Sequence, residues 1–139
     1  MLPVVKRVAA AWALAATLAL LGAACGGPEG GDSASVDRIA ETIDELEQAL
    51  GERDLERVCK EILSAEARRR AGGEECPRRL RRTTVAVQQP RIELVSVTLG
   101  SAGALARVRA WTDDEPPALD SMRLVAESDG YRIESLSGG

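Results

Sequence analysis

Near residue 84 the spacing of apolar side chains changes from every third or fourth position to every second, and this break decides what kind of fold the chain can adopt. Upstream, Val36, Ile39, Ala40, Ile43, Leu46 and Leu50 draw one stripe along a helix that Gly51 is expected to end, while Asp37, Glu41, Asp44, Glu45 and Glu47 occupy its other faces. Asp54 is suited to cap a second helix with Leu55, Val58, Cys59, Ile62 and Leu63 turned inward. Ser64, followed by Glu66 and Ala67, starts a short third helix that Gly72-Gly73 stops. Pro77 suits the first position of a fourth, with Cys76 as its N-cap and Leu80 inward. Downstream, alternation predicts four strands over 91–99, 104–111, 121–128 and 131–136, separated by Gly100-Ser101-Ala102-Gly103, by 113–117 and by the hairpin signal Asp129-Gly130. Helices first and a meander afterwards predict an α+β fold, with N-terminal helices packed on one face of a curved antiparallel four-stranded sheet. The alternation slips between Leu94 and Val95, which predicts a bulge that bends that sheet.

The polar side of the strands is also legible. Arg107 and Arg109 alternate with Ala106, Val108 and Ala110; Arg123 and Glu127 alternate with Met122, Leu124 and Ala126; Arg132 and Glu134 alternate with Tyr131 and Ile133. This pattern reads as a solvated Arg/Glu ladder, worth fractions of a kcal/mol per pair. The competing reading is an anion-binding platform, whose field Glu127 and Glu134 partly cancel.

The chain has its own address. Lys6 and Arg7 precede a charge-free run over 8–21, rich in Ala and Leu, which is shorter than the roughly 20 apolar residues a membrane span needs. It ends in Leu21-Gly22-Ala23-Ala24-Cys25, which resembles the lipobox of bacterial lipoproteins, with Gly22 where leucine is usual. The resemblance implies that residues 1–24 are a cleaved signal peptide and that Cys25 carries the lipid, palmitate included, on the extracytoplasmic face of the cell membrane. Two acyl chains, at about 0.8 kcal/mol per buried methylene, anchor a protein stably where one does not. A secreted protein cut after Ala-x-Ala is the alternative. Residues 25–34, Gly-rich and polar, read as a flexible tether, and 35–139 as a single domain.

Removing 24 of the 139 residues leaves 115, enough for one core. The formal charge is −4, and since the leader holds Lys6 and Arg7 but no acid, the remainder stands at −6. An acidic chain is a poor ligand for nucleic acid. There is no His, so the commonest general base and metal ligand is missing, and a Ser or Cys triad lacks its base. Outside the leader the aromatic residues are Trp111 and Tyr131 alone, little for a ligand pocket to use.

Once Cys25 is acylated, Cys59 and Cys76 are the remaining thiols of an exported chain, which predicts a disulfide closing 17 positions and contributing about 3 kcal/mol. Two buried free cysteines, or half of a metal site without its histidines, are the alternatives. Arg68, Arg69, Arg70, Arg78 and Arg82, with Arg79 and Arg81, make the middle of the chain basic. They read as charge balance on solvated faces, their stems covering the core edge, or as an anion patch for lipid headgroups or anionic wall polymers. Asp113-Asp114-Glu115-Pro116-Pro117 lacks the spacing and glycine of an EF-hand and reads as an exposed turn rather than a calcium loop.

The sequence Gly51-Glu52-Arg53-Asp54, then Val58-Cys59-Lys60-Glu61-Ile62-Leu63-Ser64, Glu75-Cys76-Pro77 and the closing Gly130-Tyr131-Arg132-Ile133 resemble small bacterial lipoproteins of the nuclear transport factor two-like, or SnoaL-like, superfamily. That resemblance implies a cone of helices packed into a curved sheet, whose mouth is an enzyme pocket in some members and a binding or assembly surface in others. Enzymatic members use an Asp or His base with Tyr partners, and no such set matches here residue by residue, so the fold is carried over and the activity is not.

The expectation is therefore a non-catalytic, membrane-tethered envelope domain without cofactor or metal. It is expected to bind a small apolar ligand or a partner protein, and no nucleic acid. Ile43, Leu46, Val97, Val108, Leu124 and Ile133 are the candidates to line the cone, each of them also readable as plain core. The alternatives are a cryptic isomerase- or cyclase-type enzyme and a scaffold of an envelope complex.

Overall fold

In a computed structural model, residues 31–137 are described. The expected leader 1–24, the expected lipid site Cys25 and residues 26–30 of the expected tether lie outside the described residues. Helix α1 (Gly31–Glu52) is followed by α2 (Leu55–Arg57), a widened π-type turn (Val58–Ile62), α3 (Ala65–Arg70), a tight 3-10 turn (Gly73–Glu75) and α4 (Cys76–Thr83). Four strands complete the chain: β1 (Arg91–Leu99), β2 (Gly103–Thr112), β3 (Glu115–Glu127) and β4 (Gly130–Ser137). They form one antiparallel sheet in the order β1-β2-β3-β4, so the fold is α+β, with consecutive strands paired throughout.

Helix α1 starts at Gly31, four residues inside the stretch read as tether, and it passes through Gly51. A glycine costs a helix only about 1 kcal/mol, too little to stop one whose stripe is buried. The stop comes at Arg53, which takes a left-handed conformation (φ 58°). The Arg53 N–H donates to the Leu50 carbonyl at 3.2 Å and the Asp54 N–H to that of Ala49 at 2.8 Å, a Schellman closure built on a non-glycine residue. The expected caps of the next two helices form. Asp54 accepts from the Arg57 N–H at 3.1 Å, and the Ser64 hydroxyl accepts from the Ala67 N–H at 3.1 Å. At α4 the cap moves by one: Glu75 precedes the helix and Cys76 is its first residue.

The core lies between α1 and one face of the sheet. Ile39, Ile43, Leu46 and Ala49 from α1, with Leu55, Val58 and Ile62, meet Ala104, Ala106, Val108, Met122, Leu124 and Ile133. Small Ala104 and Ala106 sit mid-sheet, while α1 comes near both edge strands, β1 and β4. At one edge the α1 side chain Glu47 accepts the Ile92 N–H, tying the helix to β1. At the other, the Ser64 N–H donates to the Ile133 carbonyl at 2.9 Å, so a short extended segment borders β4. The described core residues and both described cysteines all fall within 39–133.

Three bulges shape the sheet. Val95 is the extra residue in β1, as the slip in alternation predicts, and Glu134 is the extra residue in β4. The third sets Pro116-Pro117 against Trp111, and it corrects the reading of 113–117 as a break: only Asp113-Asp114 turn, and β3 begins at Glu115. Along 115–120 β3 pairs only with β2 among the described residues, because the described part of β4 ends opposite Ser121. Prolines, having no N–H, are tolerated on such an edge.

Candidate binding surface

The six candidates for lining a cone come together as packed side chains. Ile43, Leu46, Val108, Leu124 and Ile133 are buried members of the core, and Val97 packs partly buried against them. The buried polar side chains described are Thr42 and Ser64. Thr42 donates to the Arg38 carbonyl at 3.0 Å or the Tyr131 carbonyl at 3.3 Å, and Ser64 serves its cap. No ionisable side chain is buried among the described residues.

Among the described residues the helices cover one face of the sheet and leave the other bare. Register places Glu93, Arg109 and Leu119 in one row across that bare face, then Ser96, Arg107 and Ser121, then Thr98, Leu105, Arg123 and Ser135. The Arg109 guanidinium donates to Glu93 at 2.8 Å, one rung of the expected ladder. A second rung, Arg132 with Glu127 at 3.6 Å, lies at the β3–β4 hairpin, where Arg132 also meets Asp129 at 2.7 Å and donates to the Glu61 carbonyl. Arg107 and Arg123 have no carboxylate partner among the described residues. They are diagonal neighbours on adjacent strands, a relation that spans about 7–8 Å. Leu105 (42% exposed) and Leu119 (57% exposed) share their face. Sequence reasoning passed over both leucines, although Leu105 has the parity of Arg107 and Arg109, and Leu119 was hidden by the supposed break.

Depressions mark the described surface, and three of them bear on the site. One, of about 490 Å³, lies at the β1–β2 turn, where Thr98, Leu105, Arg123 and Val125 of the bare face meet Gly103 and Glu134. Gly103 is required there, since a Cβ would stand 2.1 Å from the Leu124 carbonyl oxygen. A second, of about 330 Å³ and mainly polar, lies between α1 and the β3–β4 hairpin, where Tyr131 has Glu41, Glu45 and Asp129 around it. All three carboxylates are exposed to water. The third, of about 420 Å³, includes Lys60, Arg68 and Arg69 beside the Cys59–Cys76 pair. There Glu56 holds the Lys60 ammonium at 2.7 Å and raises its pKa by that hydrogen bond and by its charge.

The disulfide expected between Cys59 and Cys76 is present, with Cα atoms 6.1 Å apart and both residues buried, which leaves neither free thiols nor half a metal site. The arginine-rich middle divides in two. On α3, Arg69 and Arg70 pair with Glu66, and Arg70 also donates to the Glu134 carbonyl. On α4, Arg78 pairs with Glu75, while Arg79, Arg81 and Arg82 meet no carboxylate among the described residues, nor does Arg68. Asp113 and Asp114 are an exposed hairpin tip. No described group of three or more His, Cys, Asp and Glu side chains is placed to hold a metal ion. No described helix is long and apolar enough to cross a membrane.

Fold and surface together define a small disulfide-bonded α+β domain with helices on one face of its sheet and an open, arginine-bearing face on the other. No family model matches the chain, and neither does any curated protein or solved structure.

Proposed function

We propose that this chain is a non-catalytic binding domain of the cell envelope, anchored through a lipid on Cys25 to the extracytoplasmic face of the membrane, and that its bare sheet face receives a partner protein. The address rests on the leader and on Leu21-Gly22-Ala23-Ala24-Cys25. The superfamily resemblance agrees with a helix lying near both edges of a bulged sheet, and on this reading the cone is filled by side chains. Binding then falls to the outer surface.

One observation carries the reading: an uncovered sheet face on which Leu105 and Leu119 stand in water beside Arg107 and Arg123, which have no carboxylate among the described residues. Exposed apolar side chains among unneutralised guanidiniums favour a partner that offers apolar anchors ringed by carboxylates. A second copy fits poorly, because face-to-face packing would set Arg107, Arg109 and Arg123 against their own kind.

Photo-crosslinkers at Leu105 or Leu119, in the full chain within its native envelope, are expected to give one discrete protein adduct that Arg107→Glu with Arg123→Glu abolishes. A crosslinker at Asp37 on α1 is expected to give none. Equal yields from both positions, or an adduct indifferent to the charge reversal, would remove the reading. Intact mass of the membrane-extracted protein checks the anchor: it should begin at an acylated Cys25, and an unmodified amino terminus would refute it.

A further inference from the structure

We propose that α4 is a membrane-contacting helix, whose arginine face, with the Val85 loop beside it, lies on anionic phospholipid headgroups. The charge distribution argues first. The chain carries 22 acidic residues and a net charge of −4, yet from Cys76 to Ile92 there are five arginines and no Asp or Glu. At 100° per residue, Arg78, Arg79, Arg81 and Arg82 occupy the outer half of α4, while Cys76 and Leu80 point inward. All four arginines are exposed, and three of them have no carboxylate among the described residues. On α3, by contrast, Glu66 neutralises two neighbours.

Packing argues second. Helix α4 rests on α2, on the π-type turn and on the 3-10 turn that precedes it, and the buried disulfide fixes its first residue to the π-type turn. The inner side is thus bolted down and the outer side is free. The helix is followed by a loop in which Val85 is 66% exposed. That loop is braced, because the Arg53 guanidinium donates to the carbonyls of Val85 at 3.2 Å and Val87 at 3.4 Å. A basic helix continuing into a held apolar tip is the composition of an interfacial element.

The shape selects a lipid surface. The outer face of α4 is a convex rod, and guanidinium forks suit phosphate oxygens spread over a plane. Anionic leaflets attract basic residues by about 1 kcal/mol each near the surface. The acidic positions of α1 are repelled by the same field, so the attraction is local to the arginine face. This contact uses a different surface from the sheet face and stands or falls without it.

The test uses residues 31–139, which carry the whole described core, purified with the disulfide formed, and vesicles of phosphatidylcholine with or without one third phosphatidylglycerol. The domain is expected to sediment with the anionic vesicles and not with the neutral ones, and to be released by salt as the Debye length shortens. Arg79→Glu with Arg82→Glu changes the charge by four units and should weaken binding at least about tenfold. Val85→Asp should weaken it severalfold, and the same four-unit reversal on the sheet face, Arg107→Glu with Arg123→Glu, should weaken it far less than the α4 reversal does. These side chains are all exposed, and circular dichroism should show each variant folded. Equal binding to neutral vesicles, indifference to the α4 reversal, or an equal loss from the sheet-face reversal would overturn the proposal. So would competition by soluble polyglutamate as effective as binding to the vesicles, which would make the ligand an acidic polymer.

Discussion

Arg53 does three things that no spacing rule assigns to an arginine. It ends α1 in a left-handed conformation, it closes the Schellman bonds, and its guanidinium holds two carbonyls of the loop after α4. The left-handed conformation costs a non-glycine residue about 1–2 kcal/mol, and glycine escapes that cost. Arg53→Gly and Arg53→Ala both lose the brace, so the difference between them isolates the strain. The glycine variant is expected to be the more stable by about 1 kcal/mol, read as a shift in urea midpoint at constant slope. Equal midpoints would mean that the turn relaxes. The sequence could not announce this stop because Gly51 offered a better-looking one two positions earlier. Asp54 and Ser64 were legible, since a cap is a local bond between a side chain and a nearby N–H and needs no tertiary information.

Elements follow the same division between local and distant causes. All four strands were foreseeable from alternation, and the bulge at Val95 was visible as a slip of that alternation. The first half of β3 was not, because Pro116-Pro117 reads as a break until one knows that β4 ends before reaching it. Glu47 is one of the acidic residues read onto the other faces of α1, and it accepts the Ile92 N–H of β1, a bond between residues 45 positions apart. The disulfide was legible from counting, and at the level of elements it fixes the short α4 to the rest. Reduction, or Cys59→Ser with Cys76→Ser, is expected to lower unfolding stability by about 3 kcal/mol. Vesicle binding by the reduced domain is expected to fall more than its overall helicity does, because α4 detaches before the sheet melts. A reduced protein with an unchanged urea midpoint would show that packing alone holds α4.

At the scale of the molecule, charge is segregated on the outside and absent from the inside. The candidate lining residues were legible as apolar but not as filled core, because alternation shows which face turns inward and cannot show whether α1 occupies the space. The bare face was half legible: parity gave Arg107, Arg109 and Arg123, and only register shows that Arg109 has Glu93 while its two neighbours have no such partner. This distribution predicts how stability responds to pH. The chain has no His and its two described cysteines are bonded, so no described side chain has an ordinary pKa between about 5 and 9. Where folded and unfolded forms bind equal numbers of protons, the slope of stability against pH vanishes. Lys60 does not alter this. Its pKa is raised by Glu56, so whatever it contributes is fully present below its unfolded value of 10.5 and is lost only as pH climbs past the folded one. Residues 31–139 are therefore expected to show the same urea midpoint from about pH 5.5 to 8.5, while anionic vesicle binding, carried by arginines that stay charged, holds level over the same interval. A midpoint moving by more than about 1 kcal/mol within that window would require a buried titrating carboxylate, and with it the catalytic reading would return.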